Sequence, residues 1–245
     1  LATPLVDGID NLASTTVQFE NQRPVLIGAT FDIIPHMLYE TVRLMKYMAP
    51  DLKISVRSGH RQDVLSMVRE REVDVGILPG KEIASDLQYT LLSKYDRVLI
   101  APLNHPILET GANSLAEIAQ YPLVMLEPRS YTRTLLDTEF RREGLKANIV
   151  MELDSMDYIK RYVMMGMGVS IGPRIAIEPE DLTRLGVIRL NHILENDEVG
   201  FLTATGRPRH SNTHHFIDIL RKTLIPLRAC ITCNGGSRHE NCFIF

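Results

Sequence analysis

Val25-Leu26-Ile27-Gly28-Ala29, followed by Ile34, Met37, Leu38, Thr41, Val42, Met45 and Met48 at helical spacing, is the stretch that decides the fold. Five small or apolar residues in a row have the length of a buried strand, and a three-to-four-residue recurrence behind them is one face of a helix. Pro50 ends that helix, because a proline ring has no amide to donate. The alternation then repeats. Leu52 to Val56 reads as a strand, Val64, Leu65 and Val68 mark a helix, and Val73 to Leu78 reads as a third strand. Strands alternating with helices imply βαβ units and a parallel sheet, so the fold class is α/β.

Downstream the pattern restarts. Arg97 to Ala101 is an apolar strand running into Pro102-Leu103-Asn104-His105-Pro106, where two prolines break it. Ser114-Leu115-Ala116-Glu117 reads as a capping box, with Ser and Glu each satisfying the other's free amide. Leu123 to Leu126 is a strand, Tyr131 to Phe140 a helix, and Gly144 stands where a left-handed helix cap belongs. Ile149 to Leu153 is a strand, Ser155 caps a helix to Met165, and Val169 to Gly172, Gly186 to Leu190 and Glu198 to Ala204 are strands. Asn212 to Leu227 is a closing helix. Two α/β lobes follow, with crossings near Ala101–His105 and Asp197–Phe201. The first lobe is entered, left and entered again: 23–101 with 202–228 form lobe I, and 102–201 form lobe II. Such an arrangement leaves a cleft over a two-strand hinge.

Composition narrows the function. The 245 residues carry 27 Lys+Arg against 30 Asp+Glu, a net charge of −3. That balance lacks the basic excess of a nucleic-acid-binding module. No apolar run approaches the ~18 residues that span a bilayer, and no signal-peptide pattern opens the chain, so no membrane partner is expected. There is no tryptophan and only 6% of residues are aromatic, which argues against a sugar- or base-stacking platform. Cys230, Cys233 and Cys242 all lie in the tail 229–245, leaving a cysteine-free body of cytoplasmic character. Their spacing with His239 fits no zinc pattern, and no metal or cofactor is expected. His210 and His214, four residues apart on the last helix, read as a solvated helix face.

These phrases, in their order and spacing, resemble the effector-binding domain of LysR-type transcriptional regulators. The resemblance is carried by Val25 to Thr30, and by Gly59 with Val64, Val68 and Asp74. It continues through Pro102-Leu103-Asn104-His105-Pro106-Ile107-Leu108, then Ser114-Leu115-Ala116 with Tyr121-Pro122-Leu123-Val124. Arg133-Thr134-Leu135-Leu136-Asp137 with Phe140 and Gly144 is among its strongest parts. So is Ser155 with Ile159-Lys160, Val163, Gly166-Met167-Gly168-Val169 and Pro173. It covers about residues 24–227. It implies two Rossmann-like lobes with a central cleft, of the periplasmic-binding-protein type 2 kind. It makes 1–22 the remnant of a linker helix behind a winged helix-turn-helix that this sequence lacks. One departure stands out: Arg71 and Glu72 occupy a turn where the family tends to place glycine.

In open α/β lobes, ligands sit beyond the carboxyl ends of the strands, where helix N-termini point. Four such junctions can be named: Thr30-Phe31-Asp32, Ser58 to Gln62, Glu127 to Thr132, and Asp154-Ser155-Met156. Free amides and a helix dipole of about 0.3–1 kcal/mol make each a ready anion site. The resemblance puts effector contacts at the same places. The candidate effector-binding residues are therefore Thr30, Ser58, Gly59, His60, Gln62, Arg129, Ser130, Thr132 and Ser155. Arg129 is assigned to the cleft and Arg133 to the outer surface. Plainer readings stand beside these: Ser155 as a helix cap, Thr30 as a turn residue, His60 as a neutral hydrogen-bond donor or simply an exposed residue rather than a pH-sensitive anion clamp, and Arg129 and Arg133 as surface partners of Glu127 or Asp137.

Enzyme readings fail on the residues. No Ser or Cys sits in a nucleophile motif, and neither a phosphate-binding nor a dinucleotide-binding glycine loop occurs. Gly166-x-Gly168 falls between a helix and a strand, the wrong order for a dinucleotide turn. The expectation is a ligand sensor for a small anionic effector, not an enzyme. It would act as a homodimer or tetramer and reach DNA only through the missing N-terminal domain. A transporter's solute-binding protein of similar architecture is the alternative.

Overall fold

The computed structural model describes residues 23–80, 85–206 and 209–231. The readings of 1–22 and of the tail beyond Ile231 lie outside them. Ten strands are described: β1 (Val25–Thr30), β2 (Ile54–Gly59), β3 (Val75–Pro79), β4 (Leu87–Tyr95), β5 (Arg97–Pro102), β6 (Leu123–Leu126), β7 (Ile149–Leu153), β8 (Ser170–Pro173), β9 (Leu185–Arg189) and β10 (Asp197–Ala204). A π-helical turn (Ile34–Leu38) runs into α1 (Tyr39–Met48). The remaining α-helices are α2 (Arg61–Arg69), α3 (Ile107–Thr110), α4 (Leu115–Ile118), α5 (Tyr131–Arg142), α6 (Met156–Met164) and α7 (Ser211–Ile231), with single 3-10 turns at Arg174–Ala176 and Asp181–Thr183.

Lobe I is one five-stranded sheet in the order β2-β1-β3-β10-β4. β1 lies parallel to β2 and β3, whereas β10 is antiparallel to both β3 and β4. Both faces of the sheet are covered, which explains why β1 reads as a continuous apolar run rather than an alternating one. Val25, Ile27 and Ala29 pack with Phe201, Phe216 and Leu220 under α1 and α7. Leu26 faces the opposite layer, where Val64, Leu65 and Val68 of α2 meet Val73, Leu78 and Leu202. Gly76 lets α2 settle onto the sheet, since a Cβ there would stand 2.8 Å from Val68 Cγ2.

Lobe II repeats the plan. β5 pairs antiparallel with β8 and β9, and β6 pairs parallel with β7. A bridge from Leu123 to Val169 joins the two sets, giving the order β7-β6-β8-β5-β9. Its strands also carry a core on each side, one built around Leu99, Leu136 and Phe140 and the other around Ile100, Ile159 and Val163.

The structure moves several expected boundaries. β4 has no counterpart in the sequence reading. The chain crosses at Asp96 and returns between Arg189 and Asp197, so Arg97–Pro102 is paired with lobe II strands and Asp197–Phe201 with lobe I strands. Both expected crossings stand about a strand's length too late: at the first β4 and β5 run almost end to end, and at the second β10 already pairs with lobe I from Asp197 onward. At the crossing, Arg97 and Asp197 form a doubly bonded ion pair, with Nε to Oδ2 at 2.9 Å, and both side chains are buried. The adjoining Asp96 carboxylate accepts a hydrogen bond from Asn191 Nδ2 at 3.0 Å.

Candidate functional site

β1, β2 and β3 end on the side of lobe I that faces lobe II, as parallel strands followed by helices must. β1 delivers Thr30, Phe31 and Asp32, β2 delivers Gly59, His60 and Arg61, and β3 delivers Pro79. From lobe II come Glu127, Ser130 and Tyr131 behind β6, and Asp154 behind β7. Together these residues enclose a cavity of about 20 Å³, roughly the room of one water molecule. The N-termini of α2 and α5 both open onto it.

The lobes touch around this cavity. His60 Nε2 stands 3.2 Å from Glu127 Oε1. Arg129 reaches from lobe II to Asp63 at 3.3 Å, an exposed pair at the rim. The Arg61 guanidinium lies 6.0 Å from the Tyr131 ring centre, while its Nε donates to the Pro79 carbonyl at 3.1 Å. Farther along the seam, His36 of the π-helical turn faces Glu178 at 3.7 Å. Burial pulls the His36 imidazole below its usual range despite the acids around it.

Two polar groups in the cavity wall are placed against their chemistry. The Thr30 hydroxyl oxygen is buried and has no hydrogen-bond partner among the described residues. A buried hydroxyl without a partner costs about 1–3 kcal/mol, so its position calls for a reason. Asp32 is the other: burial pushes its carboxyl up to about 6.

Of the nine expected site residues, the fold gathers Thr30, Gly59, His60 and Ser130 around the cavity and leaves five off its wall. Ser58 points to solvent from β2, and Gln62 lies exposed on the first turn of α2. Arg129 stands at the rim. Thr132 is buried on the first turn of α5. Ser155 caps α6, its hydroxyl accepting the Asp157 amide at 3.2 Å. Ser130 combines both readings, since its hydroxyl accepts the Arg133 amide at 3.1 Å while the residue lines the cavity. Arg133 corrects the sequence reading. It is buried in lobe II, donating to the Leu126 carbonyl at 2.9 Å and pairing with Asp137 and Glu152.

Sequence reasoning did not single out Phe31, Asp32, Arg61, Pro79, Glu127, Tyr131 and Asp154 as lining residues. All but Pro79 stood inside the named junctions. Pro79 lies at the end of β3, where the same strand-end rule would have found it.

With this geometry in view, comparison with known proteins gives a consistent answer. The family profile described as "LysR substrate binding domain" matches residues 20–225. The transcriptional regulator CysB of Burkholderia cenocepacia is 28% identical over 209 residues, covering 84% of this chain and 66% of the relative. The chain thus spans just under two thirds of that relative's length. Among solved structures, the cofactor-binding domain of the Cbl transcriptional regulator superposes with a TM-score of 0.73 at 20% identity, covering 85% of this chain and 93% of that one. The effector-binding domain of QuiR in complex with shikimate gives 0.70 at 18% identity, covering 82% and 96%.

Proposed function

The chain belongs to the LysR substrate-binding domain family, and on that premise we propose that it is the sensing half of a cytoplasmic transcriptional regulator. It is a ligand-binding domain, and the relatives it matches are transcriptional regulators rather than enzymes. A small anionic effector held in the interlobe cavity would change how the lobes sit. Through contacts in a homodimer or tetramer, that change would act on a DNA-reading domain elsewhere in the whole protein. Ligand moves this equilibrium only by its difference in affinity between the two lobe arrangements.

One observation carries the reading: the buried Thr30 hydroxyl has no partner among the described residues and sits in a wall where two helix N-termini meet. The positive ends of α2 and α5 repel each other across the cavity, and negative charge between them holds the lobes together. Glu127 supplies some of that charge here, within reach of His60. The likeness to a domain that holds shikimate, a carboxylate, supports an anion in the same role. Among the described residues, Ser58, Gln62, Arg129, Thr132 and Ser155 stand outside the wall, so we place Thr30, Gly59, His60 and Ser130 in direct contact and Arg129 as a gate at the rim.

Thermal-shift and calorimetric titration with small carboxylates, shikimate first, tests this on wild type and Thr30→Val. The variant keeps the side-chain shape and loses the hydroxyl, so it should fold normally and bind roughly tenfold more weakly. Equal affinity of both proteins for every carboxylate that binds would sink the cleft assignment.

A further inference from the structure

A second hollow lies on lobe I away from the cleft, between the end of α2, the end of β10 and the start of α7. Arg71, Asp74, Thr203, Arg209, His210 and Thr213 form its polar wall. Arg71 is the one described non-glycine residue with a positive φ, +62°. The reason is local. The Arg71 amide donates to the Val68 carbonyl at 3.2 Å and the Glu72 amide to the Met67 carbonyl at 2.8 Å. Those paired bonds close a helix through a left-handed residue, a place glycine takes without steric cost. Here an arginine takes it, and its guanidinium has no ionic or hydrogen-bonding partner among the described residues.

The charges around it are unbalanced. Glu72 is engaged with Arg57, and Arg69 with Asp86. Among the described residues Asp74 is the only carboxylate in the wall, and it already accepts the Leu26 amide at 3.0 Å and faces Arg23 at 3.7 Å. Arg23 also meets His210 Nε2. Arg209 donates to Thr203 Oγ1 at 3.2 Å and lies 5.8 Å from the Phe201 ring centre. The exposed Arg71 and the half-buried Arg209 therefore share this wall with one carboxylate whose charge Arg23, beside the hollow, already meets. The first helical bond of α7, from the His214 amide to the His210 carbonyl at 3.0 Å, begins at the same wall. The positive end of a long helix thus adds to the two guanidinium groups of the wall.

We propose that this hollow is a second anion site, distinct from the cleft, which takes a small tetrahedral oxyanion such as sulfate at its mouth. Bound there, the anion ties the end of α2 to the segment that enters α7 and stiffens lobe I. The test is calorimetric titration of the full chain with sodium sulfate, against sodium chloride at matched ionic strength. Wild type should give a saturable sulfate signal, and Arg71→Gly should weaken it roughly tenfold or more. Glycine suits the left-handed backbone, so this variant should melt at or above the wild-type temperature without sulfate. Arg142→Gln, which removes an exposed guanidinium that lines neither hollow, should keep wild-type sulfate affinity, and Arg71→Gly should bind carboxylates in the cleft as wild type does, which separates this site from the cleft whatever the fate of the cleft reading. Wild-type sulfate binding by Arg71→Gly would overturn the proposal. So would an equal loss of binding in Arg142→Gln, or a wild-type response to sulfate no larger than that to chloride.

Discussion

Asp32 shows what the cleft costs at a single residue. Its carboxyl is pushed up to about 6 because burial penalises the charged form, whereas in the unfolded chain it titrates near 3.9. The folded state therefore binds the proton more tightly. Stability from this group is full below the unfolded value and is lost as pH rises through about 6. Asp32→Asn should accordingly raise the melting temperature at pH 7.5 and leave it unchanged at pH 4, as followed by scanning calorimetry. A rise of the same size at both pH values would assign the effect to something other than this ionisation. Thr30 and His60 were visible in the sequence because the strand-end rule asks only where a strand stops. Arg133 was not, since its burial depends on Glu152, which a neighbouring strand brings to 2.7 Å.

At the scale of elements, helix ends were the most readable parts. Gly144 takes φ +69° at the end of α5, where the Leu145 amide returns to the Phe140 carbonyl at 2.8 Å. A Cβ there would meet nothing within 4 Å, so the cost of a side chain is conformational alone. Gly144→Ala should lose about 1 kcal/mol in urea unfolding, and no measurable loss would mean the backbone adapts. Ser114 caps α4 as expected, with the Glu117 amide 3.2 Å from its hydroxyl. The return contact differs: Glu117 Oε2 accepts the Asn113 amide at 3.0 Å, one residue earlier than a capping box prescribes. β4 was unreadable for a physical reason. Leu87-Gln88-Tyr89-Thr90-Leu91 do alternate, but the register shift opposite Val199/Gly200 sets Leu91 and Leu92 side by side and breaks the pattern midway.

For the whole molecule, the two-lobe plan was legible and the joint between the lobes was not. Arg97 and Asp197 lie far apart in sequence, and only the fold makes them a buried pair. Asp197→Ala leaves a buried guanidinium without its counter-charge and should cost roughly 3–5 kcal/mol in urea unfolding. Replacing both residues with apolar ones of similar size should recover most of that loss. A single substitution costing under about 1 kcal/mol would show that water reaches the joint. The cavity in the cleft has room for roughly one water molecule, so taking in a carboxylate with a carbon ring requires the lobes to part or their side chains to swing aside.

The same joint carries a genealogy. β4 and β10 are antiparallel neighbours, with Tyr95 opposite Asp197 where one lobe gives way to the other. They are the two arms of a hairpin, and lobe II occupies the place of its loop. Deleting 97–196 and joining the arms through a short turn should leave a foldable small protein, because the removed part enters and leaves at one point. Cutting the chain after Asp96 should not, because lobe I would lose the strand between β3 and β4 and the helix over its core. In evolutionary terms the sensor reads as one domain hosting another as a guest.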